Sequence, residues 1–549
     1  MNYNKYIVLA LSLTTLTACS DIDDINPEGQ YLTQDQKNAS VEAIPSLVDA
    51  DINGMYMMMA KPNTYFSSNR ADDGGYFSVA LSNDLNGSDV VGPNSGYNWF
   101  SVPSDYSDRS DTYANPRMRY GLFYNQIKAA NDIITSIDST TTDSTLMQSL
   151  GQAKACRAFS YMNLVPYYQF NYQTSADKPC VPLVTEKTTN FTENPRVAVK
   201  VIYNFILNDL TAAHDLLDGF KRTNKKYINQ AVVSGLLART YLAMGDYAKA
   251  ADFAKQAIKE SDAKPASIEN VSVPAFCDAK EGNWMWGTLL DASDVADFSY
   301  STASSQLSSF SGDSYTAGAG CYRDINSLLY KKIPATDIRK QWWVSPDMKT
   351  TLLDNQTWTT GSNVISGQKI IAGKISNIKE PFNAYTNVKF GMKSGIGNST
   401  NNNDFPLMRI EEMYLIEAEA LAMSGNLTEG KSVLENLIKT YRDPSYSVKA
   451  TTAEAFQNEV WFQRRVELWG EGFSMWDIMR LNKPVVRIHG SDVGNWPDAF
   501  AFNIQAGDGY LLMRFPNKET NNNSAIVQNS DGKVPVSMQN PDLTDGVTD

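Results

Sequence analysis

Residues 232–258, VVSGLLARTYLAMGDYAKAADFAKQAI, spell out two amphipathic helices and the break between them. Val233, Leu236, Leu237, Thr240, Tyr241 and Met244 recur at the i, i+3, i+4, i+7, i+8 and i+11 positions of one helical face. Gly245-Asp246 interrupts the run. Tyr247, Ala250, Ala251, Ala254 and Ile258 then rebuild an apolar stripe, with Lys249, Asp252, Lys255 and Lys259 on the wet side. The small alanines let the two helices approach closely.

The same grammar returns at 408–438, MRIEEMYLIEAEALAMSGNLTEGKSVLENLI, with Gly425-Asn426 as the break. Both stretches fit the tetratricopeptide (TPR) pattern. Two such pairs far apart predict a mostly α, TPR-like scaffold with long loop insertions and little β structure. Further helices are expected at 43–60, 119–137, 146–169 and 197–218. Residues 61–118, rich in Ser, Asn, Asp, Gly and Tyr without a sustained period, read as a structured loop region. The predicted organisation is a helical part at 41–261 with a ligand loop at 61–118, an irregular insertion at 262–405, and a helical part with a tail at 406–549.

The N-terminus gives the compartment. Lys5 supplies a positive n-region, and Tyr6 to Leu16 an apolar core too short and too rich in Thr and Ser to cross a bilayer of ~30 Å. Leu16-Thr17-Ala18-Cys19 matches the bacterial lipobox, so 1–18 read as a lipoprotein signal peptide, Cys19 as the lipidated N-terminus and 19–40 as a tether. Removing 1–18 takes only Lys5 among the charged residues and moves the net charge from −13 to −14. Cysteines 156, 180, 277 and 321 include no CxxC pair, which leaves structural thiols or one or two bridges.

A net charge of −13, from 48 Lys+Arg against 61 Asp+Glu, repels phosphate backbones and speaks against nucleic-acid binding. With only His214 and His489, a three-His zinc centre is impossible. No GxSxG, HExxH, GxGxxG or Walker motif occurs, and no EF-hand loop. Glu467 and Glu471, spaced i, i+4, invite a glycosidase reading. Arg464, one turn from Glu467, instead predicts ionised, structurally paired carboxylates rather than the raised pKa of a general acid. The chain is read as a non-enzyme without a cofactor.

Four blocks in order resemble the SusD/RagB family of Bacteroidetes surface lipoproteins: GQAKACRAFSYMNLVPYYQF at 151–170, INQAVVSGLLARTYLAMGDYAKA at 228–250, PLMRIEEMYLIEAEALAMSG at 406–425 and QRRVELWGEGFSMWDIMRLNK at 463–483. In the last, Arg464, Arg465, Glu467, Leu468, Glu471, Gly472, Asp477 and Arg480 match the family signature, whereas Gln463, Ser474 and Met479 depart from its Glu, Arg and Arg. The resemblance covers nearly the whole chain. It implies a surface-exposed outer-membrane protein, lipid-anchored through Cys19, that binds an oligosaccharide or polysaccharide above a SusC-like TonB-dependent β-barrel transporter. A peptide-binding member would share every scaffold block, and a surface glycoside hydrolase is the weaker alternative.

Sugar rings need flat aromatic faces with amides, acids or Arg at their edges, on loops held by a rigid scaffold. Tyr97, Asn98 and Trp99, with Asp73 in Asp72-Asp73-Gly74-Gly75-Tyr76, offer this in the first irregular region; Tyr300, Tyr315 and Tyr322 offer it in the insertion. Trp284, Trp286, Trp342, Trp343, Trp461, Trp469 and Trp476 are read as core or interface, with Asp337-Ile338-Arg339 as a structural Asp-x-Arg turn. Met55 to Met59 read as an adaptable packing surface.

Overall fold

A computed structural model describes residues 33–529 apart from 64, 67–69, 374 and 491–492. The signal peptide, Cys19 and the start of the tether lie outside the described residues. About 48% of the chain is helical and the strands are short. The twelve helices that build the scaffold are α1 (Gln34–Ala43), α2 (Val48–Ala60), α3 (Tyr76–Asn86), α4 (Ala114–Ser136), α5 (Ser144–Tyr168), α6 (Val199–Leu216), α7 (Gln230–Met244), α8 (Tyr247–Glu260), α9 (Ile410–Met423), α10 (Leu427–Tyr441), α11 (Ala453–Glu467) and α12 (Ser474–Arg480).

The predicted helix pair is α7–α8. Gly245 takes the left-handed conformation at the end of α7 (φ +75°), and the Asp246 side chain accepts the Lys249 amide to cap α8. Each of α4 to α8 packs on the next, and α8 packs on α9 across the whole insertion, with α10 and α11 against α9. The second helix pair thus continues the first as one stack. Strand β4 (Trp284–Thr288) pairs antiparallel with β8 (Phe405–Arg409) and closes the neck of the insertion where the chain returns to α9. The other pairs are β1 (Val90–Val91) with β5 (Asp324–Ile325), β2 (Pro179–Pro182) with β3 (Arg196–Ala198), β6 (Thr357–Thr360) with β7 (Asn363–Ser366), and β9 (His489–Gly490) with β10 (Gly494–Asn495). Trp284, Trp286, Trp342, Trp343, Trp358, Trp461 and Trp469 are buried. One apolar core runs through helices and insertion alike.

Three sequence expectations need correction. The tether to residue 40 is already helical from Gln34, where Thr33 and Gln36 form a capping box. The loop region 61–118 contains α3, an eleven-residue helix buried at every position. A helix with no wet face shows no polar–apolar alternation, so periodicity could not reveal it. Glu471 is not on the helix of Glu467: α11 ends there, and Gly470 and Gly472 (φ +79° and +92°) turn the chain away. Arg464 pairs with Asp477 at 2.7 Å, not with Glu467.

Glu467 and Glu471 do end in structural ion pairs, with other partners. Arg409 reaches Glu411 (3.0 Å), Glu467 (3.1 Å) and Glu471 (2.8 Å). Arg442 bonds Glu467 (2.8 Å) and Glu411 (3.1 Å), and Arg339 bonds Asp337 (2.6 Å) and Glu467 (3.3 Å). Lys389 bonds Glu471 at 2.7 Å. All eight side chains are at most 3% exposed. Burial alone would raise the Glu467 carboxyl, but Arg442, Arg409 and Arg339 hold it well below the usual range. Gln463, in place of the signature Glu, accepts a bond from Arg339 at 2.5 Å, so the substitution thins the charge without leaving a gap.

The four cysteines are buried free thiols rather than bridges. Burial pushes the Cys180 thiol up to about 12 and lifts those of Cys156 and Cys277 as well. Among the described residues no helix is long and apolar enough to cross a membrane.

Arg409→Met should destabilise the chain by about 3–5 kcal/mol, because three carboxylates lose their shared cation inside the core; urea unfolding gives the value, and a loss under 1 kcal/mol would show the network to be dispensable. Burial also pushes Asp84 up to about 7, against the Ser474 and Gly472 amides that favour its ionised form. A raised carboxyl contributes stability below its unfolded pKa of about 3.9 and loses it as the pH climbs through 7. Asp84→Asn should therefore flatten the change of melting temperature between about pH 4 and 7.

Candidate ligand-binding rim

The predicted ligand residues come from two segments, and the backbone brings those segments into contact. Gly74 and Gly75 thread between α2 and the insertion. A Cβ on Gly74 would overlap the Ser301 carbonyl, and one on Gly75, itself at φ +61°, would overlap the Met59 carbonyl. Only glycine fits there, so residues 72–75 lie directly against the segment carrying Tyr300. The second join is β1–β5, which pairs Val90 with Ile325 and Val91 with Asp324.

Beside that join Arg323, fully buried, donates to Asn98 Oδ1 (2.9 Å) and to the Gln306 carbonyl (3.1 Å). Gln306 in turn donates to the carbonyls of Tyr300 (3.0 Å) and Ala71 (3.4 Å). One buried hub thereby ties together the stretches at 71, 98 and 300. Burial lowers the Arg323 guanidinium to about 10, since carbonyls and amides are its main partners.

On this base stands an exposed aromatic rim. Trp99 is 37% exposed, Tyr300 45% and Tyr97 65%. The Trp99 indole donates to the Tyr315 hydroxyl at 2.8 Å. Tyr315 meets Tyr300 edge to face at 5.9 Å, and Tyr300 meets Phe298 likewise at 5.8 Å. Arg70 lies over the Trp99 ring at 5.7 Å while its guanidinium bonds Asp72 at 2.8 Å. Behind Asp72 opens a cavity of about 240 Å³ lined by Tyr65, Asp73, Asn115, Met118 and Arg119 among others. Desolvation raises the Asp72 and Asp73 carboxyls.

Trp99, Tyr300 and Tyr315 thus come together, with Tyr97 on the same turn. Three candidates do not reach the surface. Tyr322 is 2% exposed, its ring tilted against Phe382 at 4.9 Å and its hydroxyl on the Glu380 carbonyl, so its ring is core and not a ligand platform. Asn98 is spent on its turn, donating to the Pro93 carbonyl and accepting from Arg323 and Phe100. Asp73 accepts the Phe66 amide and shapes the loop while its residue lines the cavity. Arg70 and Phe298 were missed. Arg70 is the only cation between Lys61 and Arg109, a signal the sequence does hold.

Residues 34–242 match a family described as starch-binding and associating with the outer membrane, and residues 324–532 match the SusD family. The SusD-like protein P2 of Formosa agariphila is 23% identical over 547 residues, covering 96% of this chain and 99% of that protein. Among solved structures, a SusD-like carbohydrate-binding protein from Bacteroides vulgatus superposes with a TM-score of 0.70 at 22% identity, covering 88% of this chain and 97% of the other. Surface glycan-binding protein A of Bacteroides thetaiotaomicron, solved with laminarihexaose, gives 0.63 at 16% identity, covering 88% and 99%. These likenesses establish the fold.

Arg323→Met should leave the Gln306 carbonyl without its guanidinium donor and Asn98 Oδ1 with the Phe100 amide alone, cost about 1–3 kcal/mol, and speed amide exchange at residues 95–99. Unchanged exchange there would mean that β1–β5 holds the turn alone.

Proposed function

This chain belongs to the SusD family, and on that premise we propose that it is a non-catalytic glycan-binding lipoprotein of the outer membrane that captures oligosaccharide or polysaccharide at the Trp99–Tyr315–Tyr300 rim. One observation carries the proposal: aromatic residues some two hundred positions apart meet at the surface on a buried foundation tied by the Arg323–Asn98 and Gln306–Tyr300 hydrogen bonds. Most large rings are packed away, yet here three stand in water side by side, where only a stacking partner rewards them. Sugar C–H faces would lie on Trp99 and Tyr300, and hydroxyls would bond Arg70 and the Tyr315 hydroxyl. Because the rings are preset, little conformational entropy is lost on binding.

The lipobox at Cys19 supports a lipid-anchored protein, and family membership supports its exposure at the cell surface and a SusC-like TonB-dependent transporter as the partner that takes over the ligand. Weak capture suits such a hand-over, since fast release lets the sugar move on. Hydrolysis finds no support in Glu467 and Glu471. Each is locked to arginine or lysine in the core, and the arginines hold the Glu467 carboxyl well below its usual range, the opposite of what a general acid needs.

The test is a binding screen of the chain against soluble polysaccharides and oligopeptides, with reducing ends monitored. Retention by a glycan class without reducing-end release is expected, and Trp99→Ala should weaken that binding about tenfold with an unchanged melting temperature. Binding of peptides alone would move the chain to the peptide-uptake branch of the family, and reducing-end release would overturn the non-enzyme reading.

A further inference from the structure

Five aromatic side chains stand exposed among the described residues: Tyr97, Trp99, Tyr113, Phe191 and Tyr300. Three belong to the rim. Phe191, 58% exposed, lies on the loop between β2 and β3 and borders a cleft of about 420 Å³, larger than the cavity beside the rim. The cleft runs along α4, where Tyr120 and Tyr124 form an aromatic pair 4.4 Å apart and the Tyr124 hydroxyl donates to the Pro182 carbonyl at 2.7 Å.

Its polar groups are fixed before any ligand arrives. Glu186 is held by Arg157 at 2.6 Å from beneath. Asn523 donates to Glu519 at 3.0 Å, and Asn194 to the Leu183 carbonyl at 3.2 Å. A carboxylate has about four acceptor sites, so Glu186 and Glu519 keep lone pairs for donors from outside. The Lys128–Asp132 pair closes one end, and both of these residues also line the cavity beside the rim.

We infer that this cleft is a second carbohydrate-binding site, taking a neutral sugar residue that stacks on Phe191 and donates hydroxyls to Glu186 and Glu519. Lys128 is already paired with Asp132 and Arg157 with Glu186, which leaves the charge of Glu519 over, so the cleft favours neutral sugars over uronic or sulfated ones. A peptide is the poorer fit, because it would be read through a free strand edge or an apolar groove, and the cleft presents one ring among acids and amides. The site stands on its own geometry and does not need the rim. Two sites flanking α4 would also hold long chains more tightly than short ones, since the second contact becomes intramolecular.

Maltohexaose, cellohexaose, laminarihexaose and xylohexaose, each titrated into the whole chain, Trp99→Ala and Phe191→Ala with amide hydrogen exchange as the readout, test this. At least one probe is expected to protect residues 184–194 and 519–523 in the whole chain and equally in Trp99→Ala. Phe191→Ala should raise the concentration needed for that protection about tenfold while exchange elsewhere in the fold stays as it was. Protection confined to 95–99 and 300–315 would overturn the cleft and leave the rim reading standing. No protection at 184–194 with any of the four, or protection indifferent to Phe191→Ala, would overturn it too.

Discussion

Everything in the structure is referred to one buried cluster of charge. Four cations and four carboxylates, drawn from the insertion, the β8–α9 junction, the end of α10, the end of α11 and the turn after it, neutralise one another where water is absent. Isolated, any of them would be costly to bury. Together they define a single arrangement, because each arginine fork must find its carboxylates at once. Elements remote in sequence are therefore fixed in mutual register by geometry that greasy packing alone would leave degenerate.

The same cluster explains how a loop region becomes a platform. Glu471 leads into Gly472, whose amide bonds Asp84 and whose missing Cβ lets the chain lie on Ala80 of α3. From α3 the backbone runs back through Gly75 to the Gly74–Ser301 contact, and forward to β1 and the turn of Trp99. The signature segment at 463–483 thus supports the helix whose two ends lead to the loops of the proposed rim.

The legible parts of the sequence were those with one wet face. The α7–α8 stripe declared itself because lysines alternate with alanines. In α3 the same helix-forming geometry was silent, because Asn83, Asp84 and Asn86 answer to partners from other segments rather than to water. For the rim, residue type marked the right segments but not the side chains. Tyr315 and Tyr322 look alike in sequence, and only the Glu380 carbonyl and Phe382 decide that one faces solvent and the other the core. Arg464 misled for a similar reason: one-turn spacing on α11 suggested Glu467, but Asp477 arrives from α12 to take it.

The four buried thiols bear on how this protein can be handled. None forms a bridge, and those of Cys156, Cys180 and Cys277 are held in their protonated, unreactive form at neutral pH. Folding of the described residues then calls on no oxidising machinery and tolerates reductant throughout purification. A cysteine introduced on the rim or at the mouth of the α4 cleft would be the one thiol among the described residues that a maleimide dye could reach, so each surface can be labelled and watched separately without first replacing these four cysteines.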